Sequence, residues 1–305
     1  MLPGYNTNGF AHHRLTDVVA ILTEIGYRSV AVTLEHEQLD PPDRRGVSEC
    51  VKQLKPLIEA TGLSVTIETG SRFILDPRRK HQPTLLSRSP KERRQRIDFI
   101  KAAIDVAEAL SADSVSLWSG SPDRDSEPIN TTPGIDEAQA CGKDHPRPRD
   151  SENPAADEPL FARLTDSLGE LLHYAAAKNV RLSLEPEPGM FIDTMSRFEE
   201  LLKRIDHPNL GLTLDIGHVC CLDDGNIQDH IRRNQERLWN VHVEDMRRGV
   251  HEHLMFGQGD IDFAPVFQSL GEIRYAGPIH VELSRHSHNA VETARQAFEF
   301  LRRFF

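Results

Sequence analysis

Eight short apolar runs, each followed by a stretch with the periodicity of an amphipathic helix, recur along the whole chain. Apolar runs that alternate with helices predict a parallel β-sheet, because parallel strands are buried on both faces and need helical crossovers. Eight such pairs in about 300 residues are typical of a closed (β/α)8 TIM barrel. An open doubly wound sheet is the alternative, but no GxGxxG fingerprint follows the first strand. We therefore predict an α/β fold, with residues 1–305 forming one barrel domain.

The predicted elements follow from the same pattern. Strands are expected at 4–8, 29–34, 63–67, 114–118, 180–184, 210–214, 238–243 and 278–281. Helices are expected at 15–25, 47–61, 91–110, 160–179, 194–205, 227–237, 263–270 and 290–304. The alternation is interrupted at residues 121–158, which are rich in Pro, Asp, Glu and Ser. We predict an acidic loop insertion there, after the fourth strand. It is a surface decoration or, alternatively, a lid or an oligomer contact.

The charge balance restricts the partners of the protein. The chain has 36 Lys and Arg against 47 Asp and Glu, a net charge of −11, which argues against nucleic acid and an anionic membrane surface as partners. The sequence contains no apolar run of about 18 residues, so no membrane span is predicted. The chain lacks the pattern of a secretory signal, and its four cysteines lack the spacing of a disulfide framework. We expect a cytoplasmic protein with a small-molecule partner, and a homo-oligomer is compatible with the sequence.

Ionisable side chains stand at the ends of four consecutive predicted strands. Glu185 follows the fifth strand, Asp215 the sixth and Glu282 the eighth, while His242 lies near the end of the seventh. A lone carboxylate there more often caps the next helix, and a lone histidine more often satisfies a hydrogen bond. Four such residues at equivalent positions of consecutive strands would converge near the barrel axis, at the end where barrel enzymes carry their active sites. Because carboxylates and imidazole suit hard-to-borderline cations, we predict a divalent metal ion, Mn²⁺ first, with Mg²⁺, Co²⁺ or Zn²⁺ as alternatives.

Earlier strands contribute further candidates for the pocket. His36, Glu68, Arg72 and Trp118 fall at or just beyond predicted strand ends and are expected to bind substrate, with Trp118 stacking on a sugar face. The basic run at 78–81 is either a site for a phosphate or carboxylate of the substrate or a solvated loop.

The segments LSLEPEPG, LTLDIGH, VHVED and HLMFGQGDIDF resemble the xylose isomerase-like barrel superfamily. That superfamily includes sugar and sugar-phosphate isomerases, ketose 3-epimerases, inosose dehydratases and the endonuclease IV group. The resemblance is specific over residues 180–305 and rests on strand–helix rhythm before that. It implies a metal-dependent enzyme that acts on a sugar or a cyclic polyol.

The resemblance also implies roles for single residues. Glu185, Asp215, His242 and Glu282 would be the metal ligands. Glu185 and Glu282 would also be the catalytic acid–base pair, on opposite faces of the substrate. A metal ion that bridges two substrate oxygens would stabilise the enediolate formed by proton abstraction.

Three more residues match substrate-binding positions of the superfamily. His218 would contact hydroxyl groups. His253 falls where relatives place a substrate-binding Arg or His, its alternative being a surface loop residue. Glu187 would bind a hydroxyl group or support the metal ligands from behind.

Two differences from known branches of the superfamily narrow the choice of branch for this chain. The endonuclease IV group holds three zinc ions with an Asp-x-His pair and further early histidines, whereas this chain has His251-x-His253 and ends its third strand in Glu68-Thr69. The ketose 3-epimerase branch has a glutamate six residues after the first ligand, where this chain has Phe191. The usual substrate contact of that branch is therefore absent.

These observations lead to one principal hypothesis and three alternatives. We expect a divalent-metal-dependent sugar isomerase or epimerase that works through a metal-stabilised enediolate. The first alternative is a lyase or dehydratase on a keto-sugar, a keto-inositol or a 3-keto-glycoside, which would expel a β-leaving group after the same proton abstraction. A non-catalytic, metal-holding barrel and an endonuclease IV-like nuclease are the less favoured alternatives.

Overall fold

A closed barrel of eight parallel strands forms the centre of the computed structural model, which describes residues 1–36, 39–41, 43–122 and 154–305. The barrel strands are β1 (Leu2–Asn6), β2 (Ser29–Thr33), β3 (Ser64–Glu68), β4 (Ser114–Leu117), β5 (Arg181–Leu184), β6 (Leu210–Asp215), β7 (Leu238–Val243) and β10 (Pro278–Val281). They follow one another around the barrel in chain order, and β10 closes it by pairing with β1. The predicted fold is confirmed.

Helices connect the strands on the outside of the barrel. They are α1 (Leu15–Ile25), α2 (Arg44–Thr61), α3 (Pro90–Leu110), α4 (Pro154–Ala176), α5 (Met195–Arg204), α6 (Ile216–Leu222), α7 (Ile227–Arg233), α8 (Phe263–Glu272) and α9 (Ala290–Leu301). Short 3-10 helices at Thr7–Phe10 and Ser284–Asn289 follow β1 and β10. Helix α3 begins where the sequence places it, because the Ser89 hydroxyl accepts a hydrogen bond from the Glu92 amide and Pro90 occupies the first turn.

Two elements near the seventh strand are not predicted from the sequence. Helix α6 follows β6 directly, and β8 (Asp245–Arg247) pairs with β9 (Val250–Leu254) as an antiparallel hairpin that packs on α6. Both elements are short, so neither shows a recognisable hydrophobic period. The hairpin carries His251 and His253, and it determines where these two side chains lie.

Several predicted boundaries differ from the structure; α7, for example, ends at Arg233 rather than at residue 237. The first strand covers residues 2–6 rather than 4–8. Most of the predicted insertion at 121–158 lies outside the described residues, but its last part is helical, because α4 begins at Pro154. In the described parts of the chain, no helix has both the length and the apolar composition needed to cross a bilayer.

Small polar side chains occupy part of the barrel interior, while the larger apolar residues of the strands are buried in the core. The Thr213 hydroxyl lies 3.1 Å from that of Ser116 and 2.9 Å from that of Ser183, so β4, β5 and β6 are linked through the interior. The alternation of strand side chains places the intervening apolar residues toward the helices. The barrel interior therefore accommodates polar side chains, which lead toward the carboxyl end of the strands.

Candidate functional site

Four strands bring the predicted metal ligands to one end of the barrel. Asp215 is the last residue of β6, and Glu185 and Glu282 directly follow β5 and β10. His242 lies in β7 and pairs in register with Asp215 of the neighbouring strand. Because the strands are parallel, their carboxyl ends share one rim, and these side chains face the same space.

The four side chains meet at one point. The Nδ1 atom of His242 lies 3.0 Å from Oε1 of Glu185, 3.0 Å from Oε2 of Glu282 and 4.0 Å from Oδ2 of Asp215. One potential ligand atom of each residue lies within 4.8 Å of the others. The side chains of His242 and Asp215 are at most 1% exposed, and that of Glu282 is 15% exposed. The site is therefore shielded by protein and open on the side of Glu282.

Asp215 combines a helix cap with a free ligand atom. Its Oδ1 atom accepts a hydrogen bond from the backbone amide of His218 at 2.8 Å and so caps α6. Its buried Oδ2 atom has no hydrogen-bond partner among the described residues. A buried acceptor without a partner is costly, so this atom is suited to a cation.

The charges at this point also fit a cation. Burial lowers the pKa of His242, but the nearby Glu185 and Glu68 carboxylates outweigh it and raise that pKa well above its ordinary value. Burial raises the pKa of Glu282, but the hydrogen bond with His242 and the charge on that ring lower it overall. Three carboxylates around one imidazole are a ligand set that hard-to-borderline divalent ions accept. The residues present therefore fit a divalent metal ion.

Two neutral donors hold the outer oxygens of the paired glutamates. Trp118 donates from its indole Nε1 to Oε2 of Glu185 at 2.8 Å. Asn8 donates from its amide Nδ2 to Oε1 of Glu282 at 2.8 Å. Each glutamate thus has one oxygen held by a donor and the other directed at His242.

A cavity of about 290 Å³ opens onto these ligands. Of the predicted substrate-binding residues, five line it, namely Glu68, Arg72, Trp118, Glu187 and His253. Its lining also includes Lys80 and His81 from the basic run, whereas Arg79 pairs with Asp76 and Glu92 outside it. The cavity therefore has an acidic floor and a side that carries the positive charges of Arg72 and Lys80.

Three histidines form a second cluster beside the first. The ring nitrogens of His218, His251 and His253 lie within 4.8 Å of one another, a spacing at which a cation could be held. The Nδ1 atom of His218 lies 3.1 Å from the Pro186 carbonyl and donates to it. Its Nε2 atom then faces Oε2 of Glu187 at 3.6 Å. His218 is thus placed behind the cavity lining.

The pKa values of the ionisable groups in and around this second cluster shift in different directions. Burial raises the pKa of Glu187 well above the ordinary carboxyl value, and the Glu185 and Glu282 carboxylates raise it further. Burial lowers the pKa of His253, but the Glu244 carboxylate more than compensates and raises it to about 10. Burial lowers the pKa of His251, and the other two histidines add to the effect. The cluster therefore offers both donors and acceptors to a polyhydroxylated molecule.

Two predicted substrate-binding residues, His36 and His218, do not line the cavity, and several residues that do line it were not predicted. The side chain of His36 is 54% exposed and contacts Asp40 and the Phe73 carbonyl instead. Asn8 was not singled out as a site residue, because no local pattern marks it, whereas Lys80 belongs to the basic run for which an anion site was one of two alternatives. Glu244 lies two residues after the predicted ligand His242, and this proximity in the sequence could have marked it as a site residue.

Fold and site together define a (β/α)8 barrel with a candidate metal centre at the carboxyl end of its strands. Residues 19–304 match the family model described as xylose isomerase-like TIM barrel. The chain belongs to this family, which confirms the resemblance seen in the sequence.

Relatives of this chain include sugar epimerases. An uncharacterised protein of Methanocaldococcus jannaschii is 32% identical over 141 residues, which are 44% of this chain and 47% of that protein. An L-ribulose-5-phosphate 3-epimerase of Salmonella paratyphi A is 27% identical over 128 residues, 42% of this chain and 45% of the enzyme. The chain thus matches about half the length of these relatives. The crystal structure of a D-tagatose 3-epimerase-like protein has a TM-score of 0.72, with 21% identity and 99% of each chain covered, which shows the shared fold.

Proposed function

We propose that this protein is a divalent-metal-dependent sugar epimerase or isomerase that moves a proton at a carbon next to a carbonyl group. The observation that supports this most strongly is the convergence of Glu185, Asp215, His242 and Glu282, three of which line a cavity of about 290 Å³ (Glu185, His242 and Glu282). A cavity near this size suits a small molecule. The activity named for the Salmonella relative is consistent with a sugar substrate.

The four ligands would hold the cation through three carboxylates and one imidazole. When bound, it would supply positive charge where negative charge develops on the substrate oxygens. Mn²⁺ is our first choice and Mg²⁺, Co²⁺ and Zn²⁺ are the alternatives, because this ligand set suits each of them.

Glu185 and Glu282 are the proposed acid–base pair. The lowered pKa of Glu282 keeps its carboxylate ionised at neutral pH, so it can accept the proton of the substrate C–H. Glu185 follows β5, which is separated from β10 by the two strands β6 and β7, and so flanks the substrate from another side. Glu185 in its acid form then gives its own proton to the opposite face of the same carbon, which yields the epimer, and the two glutamates return to their starting states by proton exchange with water. A proton returned to the neighbouring carbon gives the isomer.

We propose that the substrate carries an anionic group, a phosphate or a carboxylate. Arg72 and Lys80 line the cavity and provide charge-assisted donors for such a group. Glu187 and His253, which line the cavity, are the proposed partners of the hydroxyl groups, and His218 lies behind Glu187. We also propose a cytoplasmic location, the one expected for a chain whose four cysteines lack the spacing of a disulfide framework.

The lyase alternative is favoured by one observation. Phe191 is 3% exposed and packs edge-to-face on Phe161, so it cannot offer the polar contact that ketose 3-epimerases have at this position. A lyase on a keto-sugar or 3-keto-glycoside would use the same proton abstraction by Glu282. It would then expel a group from the β-carbon instead of returning the proton.

Solvent exchange tests the proposal and separates the alternatives. The Mn²⁺-loaded protein is incubated in ²H₂O with a panel of ketoses and ketose phosphates that includes L-ribulose 5-phosphate. Loss of the proton signal at the carbon next to the carbonyl, with the carbon skeleton intact, is the expected result. An ultraviolet-absorbing enone or a released aglycone would identify the lyase instead.

Two variants test the assigned residues in the same assay. We expect Glu185→Gln and Glu282→Gln each to lower the rate about 100-fold or more, the usual contribution of general acid–base catalysis. Glu59→Gln, on the exposed face of α2, is the matched control and is expected to keep the full rate. Full turnover by both active-site variants, or by protein stripped of metal with a chelator, would reject the proposal.

A further inference from the structure

The two ring nitrogens of His242 face different surroundings. The Nδ1 atom faces the oxygens of Glu185 and Glu282, where the cation would lie. The Nε2 atom faces across the barrel interior and lies 3.0 Å from Oε1 of Glu68. Glu68 is the last residue of β3, which stands opposite β7 in the eight-stranded barrel. The side chain expected to bind substrate thus contacts a predicted metal ligand from behind.

Asn240 contacts the same oxygen of Glu68 as His242 does. Its Oδ1 atom lies 2.8 Å from Nδ1 of His280, and its Nδ2 atom lies 3.2 Å from Oε1 of Glu68. The opposite orientation of the amide would put an amide oxygen against the Glu68 carboxylate. The Nδ2 atom therefore donates to Glu68, and because a carboxylate can only accept, the Nε2 atom of His242, 3.0 Å from the same oxygen, also carries an N–H that donates to it.

The arrangement continues below the site and is shielded from water. His280 and Asn240 are fully buried, and the Nε2 atom of His280 lies 2.8 Å from the hydroxyl of Ser29. Glu68 is 5% exposed. A buried carboxylate is costly unless donors satisfy it, and here Asn240 and His242 both donate to the same oxygen. Such a network leaves the His242 ring little freedom to turn.

We infer that Glu68 is a positioning residue, which holds His242 in the tautomer with its proton on Nε2 and so leaves the Nδ1 lone pair for the cation. This inference rests on the proposed function, because it presupposes that His242 binds metal. A carboxylate that accepts the second N–H of a ligating histidine fixes the ring and makes the ligand more basic.

Metal affinity without substrate provides the test. Free Mn²⁺ is measured by electron paramagnetic resonance during titration of the metal-free wild type, Glu68→Ala, Glu68→Gln and Glu35→Ala. Glu35→Ala is the matched control, since it removes another carboxylate that lines the same cavity. We expect Glu68→Ala to bind Mn²⁺ about 10- to 100-fold more weakly than wild type. Glu68→Gln keeps an acceptor for the Nε2–H group and is expected to recover most of that loss.

Equal losses in the two Glu68 variants, or no loss in either, would overturn the inference. A loss that Glu35→Ala reproduces would also overturn it, because the effect would then be one of overall charge. Wild-type protein that binds no Mn²⁺ and exchanges no substrate proton would instead reject the proposed function itself.

A measurement on the unaltered chain keeps the inference testable if a variant fails to fold. Histidine-selective ¹⁵N spectra of the Zn²⁺-loaded wild type, with His242 assigned by its loss in His242→Asn, report which nitrogen carries the proton. A proton on Nε2 is expected, and a proton on Nδ1 would overturn the inference.

Discussion

Replacement of Trp118 by phenylalanine separates two roles for this side chain. The sequence predicts a ring that stacks on a sugar, whereas the structure shows an indole N–H that donates to Glu185 at 2.8 Å. Phenylalanine keeps an aromatic ring against Gly70 and His81, which Trp118 contacts now, but it has no N–H. The change thus removes the hydrogen bond and retains the stacking surface.

The size of the effect follows from the partner of this hydrogen bond. A hydrogen bond to a charged group contributes about 1.5–3 kcal/mol. Since about 1.4 kcal/mol is a factor of ten, losing this contact in the transition state corresponds to a roughly 10- to 150-fold lower kcat. KM is expected to change much less, because the phenyl ring still lines the cavity.

The assay is steady-state kinetics of the Mn²⁺-loaded protein on the substrate identified by solvent exchange. Trp239→Phe is the matched control, because it makes the same change at a tryptophan that packs under the Arg181 guanidinium, outside the cavity lining. If Trp118→Phe keeps kcat within about twofold of wild type, or if it raises KM alone, the hydrogen bond does not serve catalysis and this reasoning is refuted.

Three further predictions concern charge, pH and packing. Arg72→Ala should raise KM about 10- to 100-fold for a ketose phosphate, by the loss of a charge-assisted contact, and leave KM for the unphosphorylated ketose unchanged; equal effects on both substrates would contradict it. Burial and the charge of Lys80 lower the pKa of His81 to about 3, against about 6.5 when unfolded. Only the unfolded chain takes up this proton as pH falls between those values. His81 should therefore cost about 2 kcal/mol of stability between pH 6.5 and 5, and urea melts of His81→Gln should lack that loss. Gly211→Ala should lower the free energy of unfolding by about 1–3 kcal/mol in the same melts, because the new Cβ would lie 2.3 Å from the Trp239 ring; an unchanged midpoint would show that the ring moves aside freely.

The predicted metal ligands could be found from the sequence because their positions depend on a local pattern. Asp215 and Glu282 stand where an apolar run stops, and a parallel strand presents the residue at its end to the rim of the barrel. The roles of Glu68 and Trp118 were only partly predicted. Both residues line the predicted cavity, but their polar atoms are directed at His242 and Glu185. His36 shows the limit of the pattern, because it follows a strand and still turns away to Asp40.

The sequence by itself determined the eight-fold alternation and the closed barrel, and it predicted the end of the barrel at which the candidate site lies. Each of these follows from the spacing of apolar and ionisable residues along the chain. Only the tertiary structure decided the contacts that orient the site. Asn8 meets Glu282 across 274 residues of chain, and Glu68 meets His242 across 174. Such contacts depend on which strands become neighbours or face each other when the barrel closes and on the rotamer of each side chain, neither of which is a periodic property of the sequence.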